Sequence, residues 1–588
     1  MPFADNPPQP PISLAVPVLS QATTVPTGSQ VTAVPTASQV TAVPTVLQLT
    51  AERVRVDPGQ QMGLAGLHYL RPLGDVASGA TPAAAGGQAY GGLSVFGATH
   101  GDRGGFFGWG ISAGYRWQRG PWSAEAGGFV GGGGGSPAWV GGGLMLRPHI
   151  AVAHAWGPLS LGLGVAQVWF PNGQVRSTQP QLIVRWADSA FTGPSAGAVA
   201  LDRPAVTSLA VEALTTETAA VIGQYQMHGR PARRDGTGSA PPLRYGGLVV
   251  RRALPAGLAG LGSVQPYWLL SAAGSLTAAY AGYAELLGGV GALWDLPPAL
   301  GLPLALRAEV ALGSGGAGAL ADTGGGLLRR AAGGLTWQIG PQLSLSAMRG
   351  RLASAGRFNP TETRFELAYR GWDGLPGAAP RGGPPPVSLA WVPWQVSAGW
   401  AQYPQVRRDD GRTAGLGVAT LKLSRVLPGG GSGGQSDRRS GNPSNGRSDS
   451  PSDGQSGSRS DSRSDSPSDG TPPGPGATWR LVAQAAIATN GAAGGYATGQ
   501  LGLGWLSAPL GASPWRVGAE ASVGAAGGGS VQVGGGLIGQ AQLQARYTLS
   551  PQWALQADAG WLRSRHGALS TPLIGLSAVY SFSRLQGP

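Results

Sequence analysis

Gln540-Ala-Gln-Leu-Gln-Ala-Arg-Tyr-Thr-Leu549 puts Ala541, Leu543, Ala545, Tyr547 and Leu549 at alternate positions, with Gln540, Gln542, Gln544, Arg546 and Thr548 between them. Successive side chains of an extended strand point to opposite faces, so this period of two predicts a strand with one apolar and one polar face. After Ser550-Pro551 the alternation resumes, with Trp553, Leu555, Ala557, Ala559 and Trp561 set against Gln556 and Asp558. From Trp515 to Phe582 the pattern predicts four strands in succession. Strands of about ten residues, tipped with aromatics, have the length a tilted strand needs to cross a bilayer.

Composition narrows the classes. Hydrophobic residues make up 42% of the 588-residue chain and charged ones 12%, about half the usual share. No apolar run is long enough for a membrane helix. Two classes remain, a transmembrane β-barrel and a glycine-rich secreted structural protein. The formal net charge is +13, and Lys422 is the only lysine, so the excess is arginine. These arginines stand singly along strands, which argues against a nucleic-acid partner. With no cysteine, disulfides and thiolate metal sites are excluded. Scattered histidines, such as His149 and His154 on opposite strand faces, give no metal site, and nothing in the sequence calls for a cofactor. No catalytic constellation recurs, which ranks a lipid-modifying barrel enzyme low.

The terminal stretch has two partners upstream. The triplets Gly141–Gly143, Gly324–Gly326 and Gly534–Gly536 are offset by 183 and then 210 residues (141 to 324 to 534). Glu125, Glu309 and Glu520 precede them, and the turn prolines Pro158, Pro341 and Pro551 follow at nearly the same offsets. We expect three units of eight strands at 49–187, 205–372 and 387–582, with linkers at 188–204 and 373–386. Residues 1–48 carry a Pro/Thr/Gln nonapeptide repeat (Pro17, Pro26, Pro35, Pro44) and predict a disordered spacer. The insertion 429–476, with six aspartates and five arginines, predicts a second disordered segment. The glycine runs lack the Lys-Ser/Thr of a phosphate loop and predict sharp hairpin ends.

The chain's end, Leu576-Ser-Ala-Val579-Tyr580-Ser-Phe582, resembles the aromatic-ended last strand that bacterial outer-membrane β-barrel proteins present to their insertion machinery, although Ser583–Pro588 follow the phenylalanine. The resemblance implies outer-membrane localisation, with outer-membrane lipid and the barrel insertion machinery as partners. Met1–Asp5 offers no basic signal segment, and the apolar piece Ile12–Leu19 is broken by Pro17. A periplasmic partner is conceivable through the spacer or the 429–476 insertion.

Strand parity gathers Trp117, Trp156, Trp186, Trp268, Trp294, Trp337, Trp372, Trp479, Trp505, Tyr547 and Phe582 at one end as an aromatic girdle, together with Tyr90. Trp169, Phe170, Phe358, Trp400 and Trp561 fall at the other. The inward face is expected to carry Glu125, Arg307, Glu309, Arg364, Glu366, Arg516, Glu520, Arg546 and Asp558. They either pair with one another or line a charged lumen. The leading expectation is one antiparallel barrel of 24 strands enclosing a wide pore or export conduit. The alternative is three tandem eight-stranded barrels with filled interiors, acting as an anchor or an interaction surface.

Overall fold

The computed structural model describes residues 41–587 apart from 58, 74–85, 102–103, 136–139, 194–210, 229–240, 255–263, 281, 298–301, 317–320, 377–388 and 428–475. The spacer 1–40 and nearly all of the 429–476 insertion therefore lie outside the described residues. Within them the chain is all strand, with one 3₁₀ turn at Ala278–Tyr280. Among the described residues no helix is long and apolar enough to cross a membrane.

The described residues form twenty-four strands. The first eight are β1 (Thr41–Asp57), β2 (Gln60–Pro72), β3 (Gly86–Gly101), β4 (Phe107–Arg119), β5 (Trp122–Gly134), β6 (Leu144–Trp156), β7 (Leu159–Trp169) and β8 (Arg176–Gly193). Then come β9 (Val211–Gln226), β10 (Leu243–Ala253), β11 (Val264–Ser275), β12 (Ala284–Asp295), β13 (Leu304–Gly316), β14 (Leu327–Gln338), β15 (Leu343–Ser354) and β16 (Thr361–Pro376). The last are β17 (Ala390–Arg407), β18 (Thr413–Val426), β19 (Thr478–Ala488), β20 (Ala497–Leu506), β21 (Trp515–Gly527), β22 (Leu537–Thr548), β23 (Trp553–Ser564) and β24 (Ser570–Gly587). Each pairs antiparallel with the next except where β8 is followed by β9 and β16 by β17.

Closure corrects the leading expectation. β1 pairs with β8 from Thr41↔Thr192 to Glu52↔Gln181, β9 with β16 from Val211↔Pro376 to Gln226↔Thr361, and β17 with β24 from Ala390↔Gln586 to Gln402↔Ile574. The pairings thus make three rings of eight strands. Two-residue contacts, Trp372↔Gly587 with Asp373↔Gln586 and Ser583↔Gly193 with Arg584↔Thr192, stitch them into one sheet. A single lumen shared by 24 strands is not formed. Alternation along a strand is the same whichever partner closes the ring, so the sequence pattern could not decide between the two.

The unit boundaries shift for a related reason. The first and last strands of each ring run on past their other neighbours as two-stranded ribbons. β1 begins at Thr41, not residue 49, and pairs with β2 only from Val46 onward. Pro44, from the last copy of the nonapeptide, is tolerated there because that part of β1 lies beyond the reach of β2. β8, β16 and β24 likewise run to Gly193, Pro376 and Gly587, past the expected ends at 187, 372 and 582. Pairing continues beyond Trp186, Trp372 and Phe582 in each of these strands.

We call the end where β1 starts and β24 finishes the terminal end, and the opposite one the distal end. Amphipathicity reverses between them. On β1, Gln48, Thr50 and Glu52 are buried while Leu47 and Leu49 are exposed; further on, Val54 and Val56 are buried while Arg53 and Arg55 are exposed. β15 repeats this, with Ser344 and Ser346 in and Leu343 and Leu345 out, then Leu352 in and Arg349 and Arg351 out. β8, read from its distal start, has Val175 in and Arg176 out before Gln179 and Gln181 in and Leu182 out. Most of each barrel is therefore polar inside and apolar outside, the reverse of a soluble protein, and its distal rim is the ordinary way round.

Candidate functional site

Each barrel interior is filled in two layers. Toward the distal end an apolar cluster closes the ring. In barrel 1 it includes Val54, Phe96, Phe106, Phe129, Met145 and Phe170; in barrel 2, Tyr225, Tyr245, Tyr280, Tyr283, Leu328 and Phe358; in barrel 3, Tyr403, Leu416, Tyr496, Val533, Ile538 and Leu562. Phe170 and Phe358, expected on the outer surface, are 1% and 0% exposed and belong to these plugs. They sit just beyond a strand end, where the alternation that assigns faces no longer applies.

Below the plugs lie the charges. In barrel 2, Arg251 is the hub. Its guanidinium donates to Glu309 at 2.6 Å, to Glu217 at 2.8 Å and to Glu366 at 2.7 Å, and all four groups are nearly fully buried. Arg307 donates twice to Glu217, at 2.6 and 2.9 Å. Arg364 donates to Glu366 at 2.8 Å, to Glu362 at 3.4 Å and also to Glu309. Phenols complete the web: Tyr267 donates to Glu309 at 3.0 Å, Tyr225 and Tyr283 to Glu285 at 2.9 and 2.6 Å, and Tyr245 to Glu362 at 2.5 Å. The hollow left beside Glu217, Arg251, Tyr267 and Arg307 is ≈ 20 Å³, room for about one water.

Barrel 1 uses the same chemistry with fewer charges. Glu125 pairs with Arg185 at 2.5 Å, Arg116 at 3.0 Å and His149 at 3.5 Å, and Glu52 with Arg147 at 2.8 Å. Tyr90, expected in the girdle, faces inward at 4% exposure with its hydroxyl 3.4 Å from His149. Thr50, His68, Ser94 and Ser112 form a buried chain with steps of 3.0, 2.7 and 2.6 Å. Both ring nitrogens of His68 face hydroxyls, Thr50 on one side and Ser94 on the other, and among the described residues no carboxylate hydrogen-bonds the imidazole.

Barrel 3 is mostly amide. Gln544 donates to Glu520 at 2.6 Å, Arg480 to Gln544 at 2.9 Å, Arg546 to Gln556 at 2.5 Å and Gln556 to Asp558 at 2.8 Å. Lys422 lies 3.4 Å from Glu520 and 3.6 Å from Asp558. Glu125, Arg307, Glu309, Arg364, Glu366, Glu520, Arg546 and Asp558 are all buried inside their barrels, and Arg516 is half-buried. The structure brings them together only within one barrel, never across a common channel. Arg251, Glu217, Glu362 and Lys422 belong to the same webs but not to the expected set, although simple inward parity places each of them inside.

Lys422 gives a direct test of this packing. Its side chain is 7% exposed, so an amine-reactive reagent should spare it in the folded protein and modify it once barrel 3 unfolds. Peptide mass spectrometry along a denaturant series reads this out. Modification of Lys422 under native conditions contradicts a closed barrel 3.

Eight of the eleven expected girdle residues are exposed at the terminal end: Trp117, Trp156, Trp186, Trp268, Trp294, Trp337, Trp479 and Tyr547. Trp372, Trp505 and Phe582 are half-buried. Trp122, Trp515 and Trp553 are exposed at the same end and join them. A surface hollow of ≈ 410 Å³ lies among Trp117, Arg119, Trp122 and Val152, outside barrel 1 and not in its lumen.

The barrels meet through two sets of contacts, each in cyclic order. At the distal end a third strand faces the next barrel's fifth. Ser314 of β13 donates to the Ala98 carbonyl of β3 at 2.6 Å, and Gly104 N donates to Gly324 O at 3.1 Å. Between barrels 3 and 1, Gly494 N donates to Gly141 O at 3.2 Å. Between barrels 2 and 3, a Cβ on Gly536 would stand 2.7 Å from Ser275 O. The glycine runs thus do more than turn hairpins. A Cβ on Gly316 would meet Gly105 N at 2.5 Å, and one on Gly134 would meet Gly495 N at 2.3 Å, so only glycine lets these backbones touch. In all three triplets the first and third glycines have positive φ, from 57° to 93°. At the terminal end, a second-strand arginine reaches an eighth strand of another barrel: Arg71 over the Phe582 ring (5.7 Å), Arg425 over Tyr369 (5.3 Å) and Arg252 to Asp188 (3.8 Å).

This architecture defines a class: closed antiparallel β-barrels with an apolar exterior and a polar, hydrogen-bonded interior. No protein-family model matches the chain, and no curated protein does. Among solved structures it is similar to OccAB3 of Acinetobacter baumannii, at 10% identity over 93% of this chain and 100% of that one, with a TM-score of 0.20. It is also similar to the siderophore receptor PirA of Pseudomonas aeruginosa (10% identity, 92% and 80% covered, TM-score 0.24) and to the iron transporter FrpB of Neisseria meningitidis (8%, 92% and 81%, 0.25). At these identities and TM-scores the likeness carries no argument about what this chain transports or binds.

Proposed function

We propose that the chain is a bacterial outer-membrane protein whose three small barrels, copies of one ancestral unit, form a non-conducting membrane scaffold. The observation that carries this reading is the filled interior: an apolar plug over a web of paired charges in every barrel. Moving a solute through barrel 2 would mean separating carboxylates and guanidiniums held at 2.6–2.8 Å, and breaking such a pair leaves a buried charge that costs several kcal/mol. The apolar belt and the tryptophans at its edge support the membrane placement. β18 ends and β19 begins at the aromatic end, so a periplasmic partner recruited through residues 429–476 would meet the scaffold on that side.

Planar-bilayer recording tests the reading. Refolded protein should insert without unitary conductance steps, while its gel migration shifts on boiling as a closed barrel's does. Steps on the scale of a large porin sink the scaffold reading and restore the conduit.

A further inference from the structure

The formal charge of +13 is not generated inside the barrels, where arginines and carboxylates are nearly matched. It is concentrated outside, on the distal rim, where the strands turn ordinary side out. The densest part lies on β14 and β15. Arg329, Arg349 and Arg351 are exposed, and their cross-strand partners are Ala353, Gly333 and Ala331. Arg351 stands between the other two, about 7 Å from each at the strand surface, so the three rise over a floor of small residues. Among the described residues no carboxylate pairs with any of the three, and outward neighbours on β16 are Thr361 and Thr363. Immediately toward the terminal end the same face becomes Leu335, Leu345 and Phe365, all exposed. A solvated surface would mix both signs, as the interiors do. A single-sign patch joined without a break to an apolar belt fits an anionic amphiphile, its chains on the leucines and its phosphates on the guanidinium forks.

Building on the membrane reading above, we propose that Arg329, Arg349 and Arg351 form a binding site for the phosphate groups of anionic lipid in the leaflet around the distal end. Barrel 1 offers a second cluster of the same kind in Arg53, Arg55 and Arg176, exposed on adjacent strands.

The test uses the full chain refolded into phosphatidylcholine vesicles with or without a diphosphorylated glycolipid (lipid A) or its dephosphorylated form, with lipid co-purification after detergent extraction as the readout. Wild type should retain the diphosphorylated lipid selectively. Replacing Arg329, Arg349 and Arg351 together with glutamine should weaken retention on the order of 100-fold, at roughly a fivefold effect per arginine near a charged surface. Arg119→Gln, an exposed arginine at the terminal end, should change nothing, and an unaltered boiling shift shows that the triple variant folds. Equal retention by the triple variant, equal retention of the dephosphorylated lipid, or displacement by soluble pyrophosphate at matched phosphate concentration overturns the lipid site. Failure to insert into any vesicle overturns the membrane reading itself, and with it this site.

Discussion

Arg251→Met should destabilise barrel 2 by about 3–5 kcal/mol, the cost of stranding buried charge. The substitution keeps the volume and apolar stem but removes the group that bridges Glu217, Glu309 and Glu366 at 2.6–2.8 Å. Arg307 and Arg364 still contact Glu217, Glu309 and Glu366, so the web is thinned and not abolished. The temperature at which the boiling shift occurs, followed in detergent, measures the loss. Adding Glu366→Gln should recover part of it by removing one of the excess negative charges, which a simple packing defect would not do. Lys422 labelling should stay unchanged at temperatures where barrel 2 has opened, because barrel 3 closes on its own strands. An Arg251→Met protein as stable as wild type would mean that the web is not what fills and holds this barrel.

Gly142→Leu and Gly325→Leu together should release barrel 1 from the other two. Gly142 and Gly325 are the middle glycines of their triplets. Unlike their neighbours they do not have positive φ, so a side chain is allowed by the backbone and opposed only by the adjoining barrel. A Cβ on Gly142 would lie 2.7 Å from Asn490 Cα, and one on Gly325 would lie 2.6 Å from His100 Cα. Overpacking at each contact costs about 1–3 kcal/mol. With protease sites inserted at 194–210 and 377–388, the cleaved wild type should elute as one particle in size exclusion, and the double variant should lose barrel 1. Gly499→Leu, where a Cβ meets nothing within 4 Å, is the matched control. If cleaved barrels separate in wild type as well, the glycine contacts do not hold them.

The local reading succeeded wherever one strand's own chemistry was enough. Ala541, Leu543 and Tyr547 facing out with Gln542, Gln544 and Arg546 facing in follows from a period of two and needs no partner. Glu125, Glu309 and Glu520 are buried and Trp117, Trp337 and Trp479 exposed, and the same period of two sets these faces. The reading failed at Phe170 and Phe358, just past strand ends, and at Tyr90. Along β1, β8 and β15, apolar outside became apolar inside within one strand, so hydropathy alone could not assign a face.

What tertiary structure alone decided was closure and neighbourhood. Whether β8 returns to β1 or runs on to β9 depends on a backbone register that hydropathy does not encode. Arg251 meets Glu217, Glu309 and Glu366 only because a ring of eight is narrow enough for side chains from β9, β10, β13 and β16 to touch across it. The glycine triplets read as turns because their second role, letting one barrel's backbone lie against another's, involves residues hundreds of positions away. Alternation determined that this chain makes barrel strands. Register and ring size determined that it makes three filled barrels and not one open one.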